Sequence, residues 1–238
     1  MKNLEFIFCL AFFWIASIGL FAQNANDFEF EIVERNSIQT VIITGYNGSS
    51  KNLVIPETIN GIIVTELSLW SARHEGIKTI GIPSGIANYC IIAREFAPNL
   101  ESVNVSESNE YFSSIDGILY DKSGKTLLFY PYGRRDVSFT VPQGVETIGG
   151  RDAIGNSPWD TISTFNNSYL ETIVIPSSVK RIETCAFAGS VNLTNIVFED
   201  IDNVYVDFAA FMYCENIDPK MRAELERRFG RGLFGGPW

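Results

Sequence analysis

Apolar positions recur along this chain with a period of 23 residues. Leu170-Glu-Thr-Ile173-Val-Ile175-Pro176 leads through Val179, Ile182, Ala186 and Phe187 to Leu193, where Thr-Asn-Ile196-Val-Phe198 restarts the series. Ile77-Lys-Thr-Ile80-Gly-Ile82-Pro83 is followed at the same interval by Leu100-Glu-Ser-Val103-Asn-Val105. A unit this short cannot bury its apolar side alone and must stack on copies of itself, so the period predicts a solenoid.

Each repeat opens on a short apolar-x-apolar run that reads as a strand, and a proline after it, lacking an N–H for the ladder, marks the strand's end. Six such strands are predicted, around Leu53, Ile80, Val103, Phe139, Ile173 and Ile196. Stacked at about 4.8 Å, they would make one parallel sheet roughly 25 Å across. Alternation places those six residues in one buried column and Ile55, Ile82, Val105, Val141, Ile175 and Phe198 in the next. The outward columns are then Asn52, Thr79, Ser102, Ser138, Thr172 and Asn195, beside Val54, Gly81, Asn104, Thr140, Val174 and Val197. Neither holds a charge. A flat, lightly hydrated docking face explains this; so does the high strand propensity of Thr and Val.

Residues 27–43 alternate apolar and polar around Glu34-Arg35-Asn36-Ser37, which predicts a hairpin capping the first coil. At the other end, Asp218 suits an N-cap, Pro219 the first helical position and Gly230 the residue past the C-terminus. Met221, Leu225 and Phe229 form a stripe that would lid the last coil. Two segments break the period. Residues 106–138 contain a hairpin turning at Asp121-Lys-Ser-Gly124, and residues 149–169 form a longer irregular loop. The predicted organisation is a leader (1–22), an N-terminal β cap (23–50), the solenoid (51–217) and a C-terminal helix with its tail (218–238).

The run from Ile173 through Pro176, Val179 and Ile182 to Ala186 and Phe187 resembles the BspA-like (treponemal) class of bacterial leucine-rich repeats. The Ser114-Ile-Asp-Gly117-Ile-Leu-Tyr120 segment, closing on Leu-Leu-Phe-Tyr-Pro131, is similar to an insertion found in the same class. The resemblance spans roughly residues 42–230. It departs at Ala153-Ile154, which stands for Ala-Phe, at the shifted Glu95-Phe96, and at Ser106 in a proline's place. It implies a β-dominated α/β repeat solenoid, a right-handed coil, and a non-enzymatic surface or secreted protein, often an adhesin. Such repeats share no catalytic residues, so none are carried over.

Composition narrows the partners. The net charge is −10, and no basic cluster exceeds Arg134-Arg135 or Arg227-Arg228, which argues against nucleic acid and anionic membranes. Lys2 followed by the uncharged run 6–21 and Leu20-Phe21-Ala22 reads as a secretory signal cut before Gln23, an uncleaved anchor being the alternative. The product is expected to be exported, as a secreted, cell-surface or periplasmic protein not inserted in the membrane. Three cysteines remain after the cut, Cys90, Cys185 and Cys214. An odd count leaves a free thiol or an intermolecular bond, and buried free thiols fit best.

Chemistry is scarce. The lone His74 removes most triads and metal sites, and its polar stretch predicts a surface position. Gly124-Lys125-Thr126 lacks the spacing of a phosphate loop. Asp116 with Asp121, and Glu199 with Asp200 and Asp202, read as solvated surface. No catalytic residue, metal ligand or cofactor is predicted. The expected activity is recognition of a protein ligand on a host or bacterial surface, or of a glycan; a periplasmic or envelope scaffold is the rival reading. Candidate contacts are Thr140 and Thr172 on the sheet, and Trp159, Asp160, Phe165 and Asn166 in the 149–169 insertion. Loops on rigid scaffolds concentrate recognition, and aromatics ringed by polar groups anchor interfaces. Trp159 equally suits a plug over the gap left at Ile154.

Overall fold

The computed structural model describes residues 23–69, 73–87, 89–149, 163–166 and 169–235, with backbone alone at 89–91. The predicted leader lies outside the described residues.

The first half contains β1 (Phe28–Arg35), β2 (Ile38–Tyr46), β3 (Asn52–Val54), β4 (Thr58–Ile59), β5 (Ile62–Leu69), β6 (Thr79–Ile82), β7 (Tyr89–Ile92) and β8 (Ser102–Val105). β1 and β2 form an antiparallel hairpin turning on Asn36 and Ser37, both with positive φ. Two such residues in succession match the right-handed twist of the paired strands. β2 continues in parallel to β5 and then β7. Across the core, β3, β6 and β8 form a second parallel ladder, with Leu53, Ile80 and Val103 in register and fully buried. Each coil is therefore a flattened turn with a strand on either side. Ile32 and Ile38 of the alternating pattern are exposed, Ile32 on the edge strand and Ile38 beside the turn.

The second half repeats the plan with β12 (Ser138–Thr140), β13 (Thr147–Ile148), β14 (Thr172–Ile175), β15 (Arg181–Ile182), β16 (Asn195–Phe198) and β17 (Tyr205–Val206). β12, β14 and β16 pair in parallel with Phe139, Ile173 and Ile196 aligned. On the far side run β13, β15 and β17.

The expected single six-stranded sheet is broken into two ladders of three. Between them stand β9 (Phe112–Ile115), β10 (Ile118–Asp121) and β11 (Thr126–Phe129), a meander of two hairpins where one was expected. The β9–β10 turn takes the free edge of β8: Val103 N donates to Gly117 O at 2.8 Å, and Val105 N to Ser114 Oγ at 3.0 Å. The next repeat strand has no place there. β11 then pairs in parallel with β13 and hands the ladder on.

This meander separates two hydrophobic cores. Leu119, Leu128 and Phe112 enter the N-terminal core, while Ile118, Tyr120 and Leu127 enter the C-terminal one. The consecutive apolar residues at 118–120 and 127–129 follow from burial on both faces.

Aromatic rings stack along the coil edge. In the second half Tyr130 lies on Phe165, Phe165 on Phe187 and Phe187 on Phe211, with centroids 5.0, 4.8 and 5.1 Å apart. In the first half the corresponding series is Tyr46, His74 and Phe96. His74 is thus a half-buried member of a ring ladder, not the surface histidine that its polar neighbours suggested. Its Nε2 is buried without a hydrogen-bond partner.

Helix α1 (Pro219–Phe229) closes the second core. Asp218 accepts from Lys220 N and Met221 N, satisfying two of the orphan donors of the first turn. Leu225 is fully buried, and Leu233 and Phe234 of the 3-10 turn beyond it join the same core. Cys185 and Cys214 are both buried. Burial pushes the Cys214 thiol up to about 12, so it stays protonated at neutral pH.

Candidate interaction surface

Thr140 and Thr172 lie on the outward side of the second ladder. Ser138 faces Thr172 across the β12–β14 pair, Thr140 faces Val174, and Thr172 and Val174 face Asn195 and Val197 on β16. Thr140, Ser138, Asn195 and Val197 are exposed, and Thr172 and Val174 are half-buried. The surface is built from short side chains at strand spacing. The first ladder presents Asn52, Thr79, Ser102 and Asn104, partly bonded to one another: Thr79 Oγ1 donates to Asn52 Oδ1 at 3.0 Å, and Ser102 Oγ to Asn104 Oδ1 at 3.2 Å.

The opposite side of the second half is built differently. Its outward column runs Thr126, Thr147, Arg181 and Tyr205, flanked by Lys125, Glu146, Lys180, Glu183 and Asp207. Most of these charges are paired: Lys125 with Glu146 at 2.8 Å, and Arg181 with Asp207 at 2.6 Å and Glu183 at 3.8 Å, while Lys180 Nζ donates to Ser177 O. Both sides are strands of the same coils. Strand propensity therefore does not account for one being free of charge while the other is laced with ion pairs.

The insertion residues behave differently from expectation. Phe165 is fully buried between Tyr130 and Phe187, so it is a rung of the ring ladder and not a surface anchor. Its backbone confirms the placement, with Phe165 N donating to Ala186 O at 2.8 Å as in the regular repeats. The error came from reading residues 149–169 as all insertion, when 163–166 already resume the coil. Asn166 is partly buried and accepts from Arg94 Nη1 at 2.8 Å, tying the two halves together. Trp159 and Asp160 lie outside the described residues.

Sequence reasoning missed an exposed strip at the strand entries. Val137, Tyr169, Val191 and Tyr213 are each 42–65% exposed. Tyr213 has a positive φ and occupies the repeat position that Gly189 fills one coil earlier. A tyrosine where the repeat tolerates glycine was the available signal. Nearby, Tyr130 donates to Asp136 Oδ2 at 2.5 Å, and Arg134 pairs with the same oxygen at 2.6 Å. Burial raises the Tyr130 pKa, with the Asp136 hydrogen bond acting in the same direction. This cluster fixes the shape of the connector 130–136. Among the described residues, no group of His, Cys, Asp or Glu is placed to hold a metal, and no helix is long and apolar enough to cross a membrane.

Residues 161–226 match the family described as the BspA type leucine rich repeat region, with six copies in the chain. Its repeats over this stretch are BspA-type leucine-rich repeats. No curated protein matches it. Similar solved structures include the pneumococcal vaccine antigen PcpA, at 19% identity and TM-score 0.48, covering 67% of this chain and 42% of that one. A leucine-rich repeat protein from Eubacterium ventriosum has 22% identity and TM-score 0.47, over 70% of this chain and 46% of that one. The T. pallidum leucine-rich repeat protein has 16% identity and TM-score 0.48, over 91% and 100%. The chain thus spans less than half the length of the first two. No enzyme family is indicated.

Proposed function

We propose that this BspA-type protein is an exported recognition module that docks a protein partner on the uncharged face of its strand ladders, acting in cell-surface adhesion. The contrast between the two sides of the second half carries the reading. Desolvating Ser138, Thr140, Thr172, Val174, Asn195 and Val197 costs little, whereas docking on the opposite side would strip water from paired charges. The rigid ladder behind the face supports this, because a preordered surface loses little entropy on binding. Export rests on Lys2, the uncharged run 6–21 and Ala22. Removal of residues 1–22 is part of the proposal.

Capture of partners from host and bacterial surface extracts by residues 23–238 tests the reading. Wild-type protein is expected to retain a protein ligand that a folded Thr140→Lys, Thr172→Lys variant loses. Equal capture by both would exclude the face. A glycan ligand would show as capture that survives protease but not glycosidase treatment of the extract. Protease shaving of intact cells bears on the scaffold alternative: release of fragments supports a surface location, and complete protection supports the periplasm.

A further inference from the structure

Beside the sheet face, where the chain enters β12, Glu101, Gly133, Arg134, Arg135 and Asp136 line a recess of about 300 Å³. Its lining holds two carboxylates and two guanidiniums, and three of these four charges have an ion-pair partner. Asp136 is paired with Arg134, and Glu101 with Lys78 at 2.7 Å. Arg135 has no carboxylate partner among the described residues. Among the described residues, Arg135 is thus the charge of this lining left without an ion-pair partner, in a chain whose net charge is −10.

The site is also held in shape. Gly133 N donates to Leu100 O at 2.7 Å, and a Cβ at Gly133 would lie 2.4 Å from the Asn99 backbone, so this segment is pressed onto the preceding coil. Arg134 Nη1 donates to Asp116 O at 2.6 Å, fixing the neighbouring residue. The Arg135 guanidinium lies over the Tyr169 ring, 5.4 Å from its centroid. Stacking of this kind restricts a guanidinium's plane while leaving its in-plane N–H donors unoccupied by the ring.

We propose that this recess is a carboxylate-binding site in which Arg135 takes an aspartate or glutamate side chain of a protein partner. Planar guanidinium and planar carboxylate pair through two parallel charge-assisted hydrogen bonds. The exposed Val137 and the open part of the Tyr169 ring offer an apolar flank, which fits a peptide residue next to the acid better than a hydroxyl-rich sugar acid. This goes beyond the sheet-face reading, and a small-molecule test leaves that reading standing if it fails.

The test follows the arginine Nε–Hε signals of residues 23–238 by NMR while acetyl-Leu-Asp-amide is added. The expected result is saturable movement of one signal, assigned to Arg135 by its absence in Arg135→Gln. Acetyl-Leu-Asn-amide should leave it still. Arg135→Lys keeps the charge without the fork and, with binding read from the Tyr169 ring signals, should weaken it several-fold, and Arg135→Gln at least tenfold. Unchanged melting of both variants separates lost binding from lost fold. No saturation, or an equal response to the Asn peptide, would overturn the site. An equal response to sulfate would reduce it to an adventitious ion only. Tighter binding of N-acetylneuraminic acid would overturn the peptide assignment.

Discussion

Leu119 and Tyr120 are neighbours in β10, yet their side chains enter different hydrophobic cores, Leu119 the N-terminal and Tyr120 the C-terminal one. Both are almost fully buried. The meander is thus a partition shared by the two halves, and it couples their stabilities. Leu119→Ala and Leu127→Ala remove side chains from opposite cores and should each cost about 2–5 kcal/mol by leaving a cavity. In each variant, urea midpoints followed by amide exchange at Ile80 and Ile196 are expected to shift together. Loss confined to the half that was mutated would contradict the coupling.

Gly117 and Gly124 sit in neighbouring turns with similar positive φ, 76° and 71°, but in different surroundings. A Cβ at Gly117 would lie 2.4 Å from Ser102 Oγ and 3.1 Å from Ser102 Cα, whereas one at Gly124 meets nothing within 4 Å. Gly124→Ala should therefore cost only the left-handed penalty, about 1–2 kcal/mol. Gly117→Ala adds a clash that pushes the turn off the edge of β8, and should be clearly worse. Chemical denaturation of the two variants side by side checks this. Equal losses would mean that the turn does not seal that edge.

Much of this was legible because burial in a repeat is periodic. The columns through Ile80 and Ile173 follow from alternation about each proline, and α1 follows from Asp218, Pro219 and Gly230. The interruption of the period between β8 and β12 was legible, but not that the sheet itself stops there. Nothing in the 114–120 run alone says that its turn will pair with β8 rather than hang from the coil; that depends on the approach of Gly117 to Ser102. Phe165 was misplaced for a related reason, since a repeat that resumes after an insertion carries no mark of where it resumes. His74 was misjudged from polar neighbours, although its ring fills a rung between Tyr46 and Phe96. The candidate surface was half visible: the sequence marked the lack of charge on one side, while the paired charges opposite emerged only from the register of β13, β15 and β17.

Helix α1 should show an acid-sensitive contribution from one side chain. Hydrogen bonds from Arg227 and Arg228 hold the Glu224 carboxyl down to about 2 in the folded protein. A depressed carboxylate contributes stability above its unfolded pKa, about 4.3, and that contribution fades as pH falls towards 2. Thermal melting of wild type and Glu224→Gln is expected to differ modestly at pH 6–7 and to converge by pH 2. The group is exposed, so added salt should shrink the difference. A gap that widens on acidification would contradict the assignment.

The central claim is that recognition uses the uncharged ladder face rather than its ion-paired opposite. The most direct measurement is partner affinity by surface plasmon resonance for two folded variants. Thr140→Lys with Thr172→Lys alters one face, and Lys125→Glu with Lys180→Glu alters the other. Charges forced into the docking face must be desolvated on binding, so the first pair should weaken affinity at least tenfold, and the second should leave it within about twofold. The reverse order of losses would contradict the account.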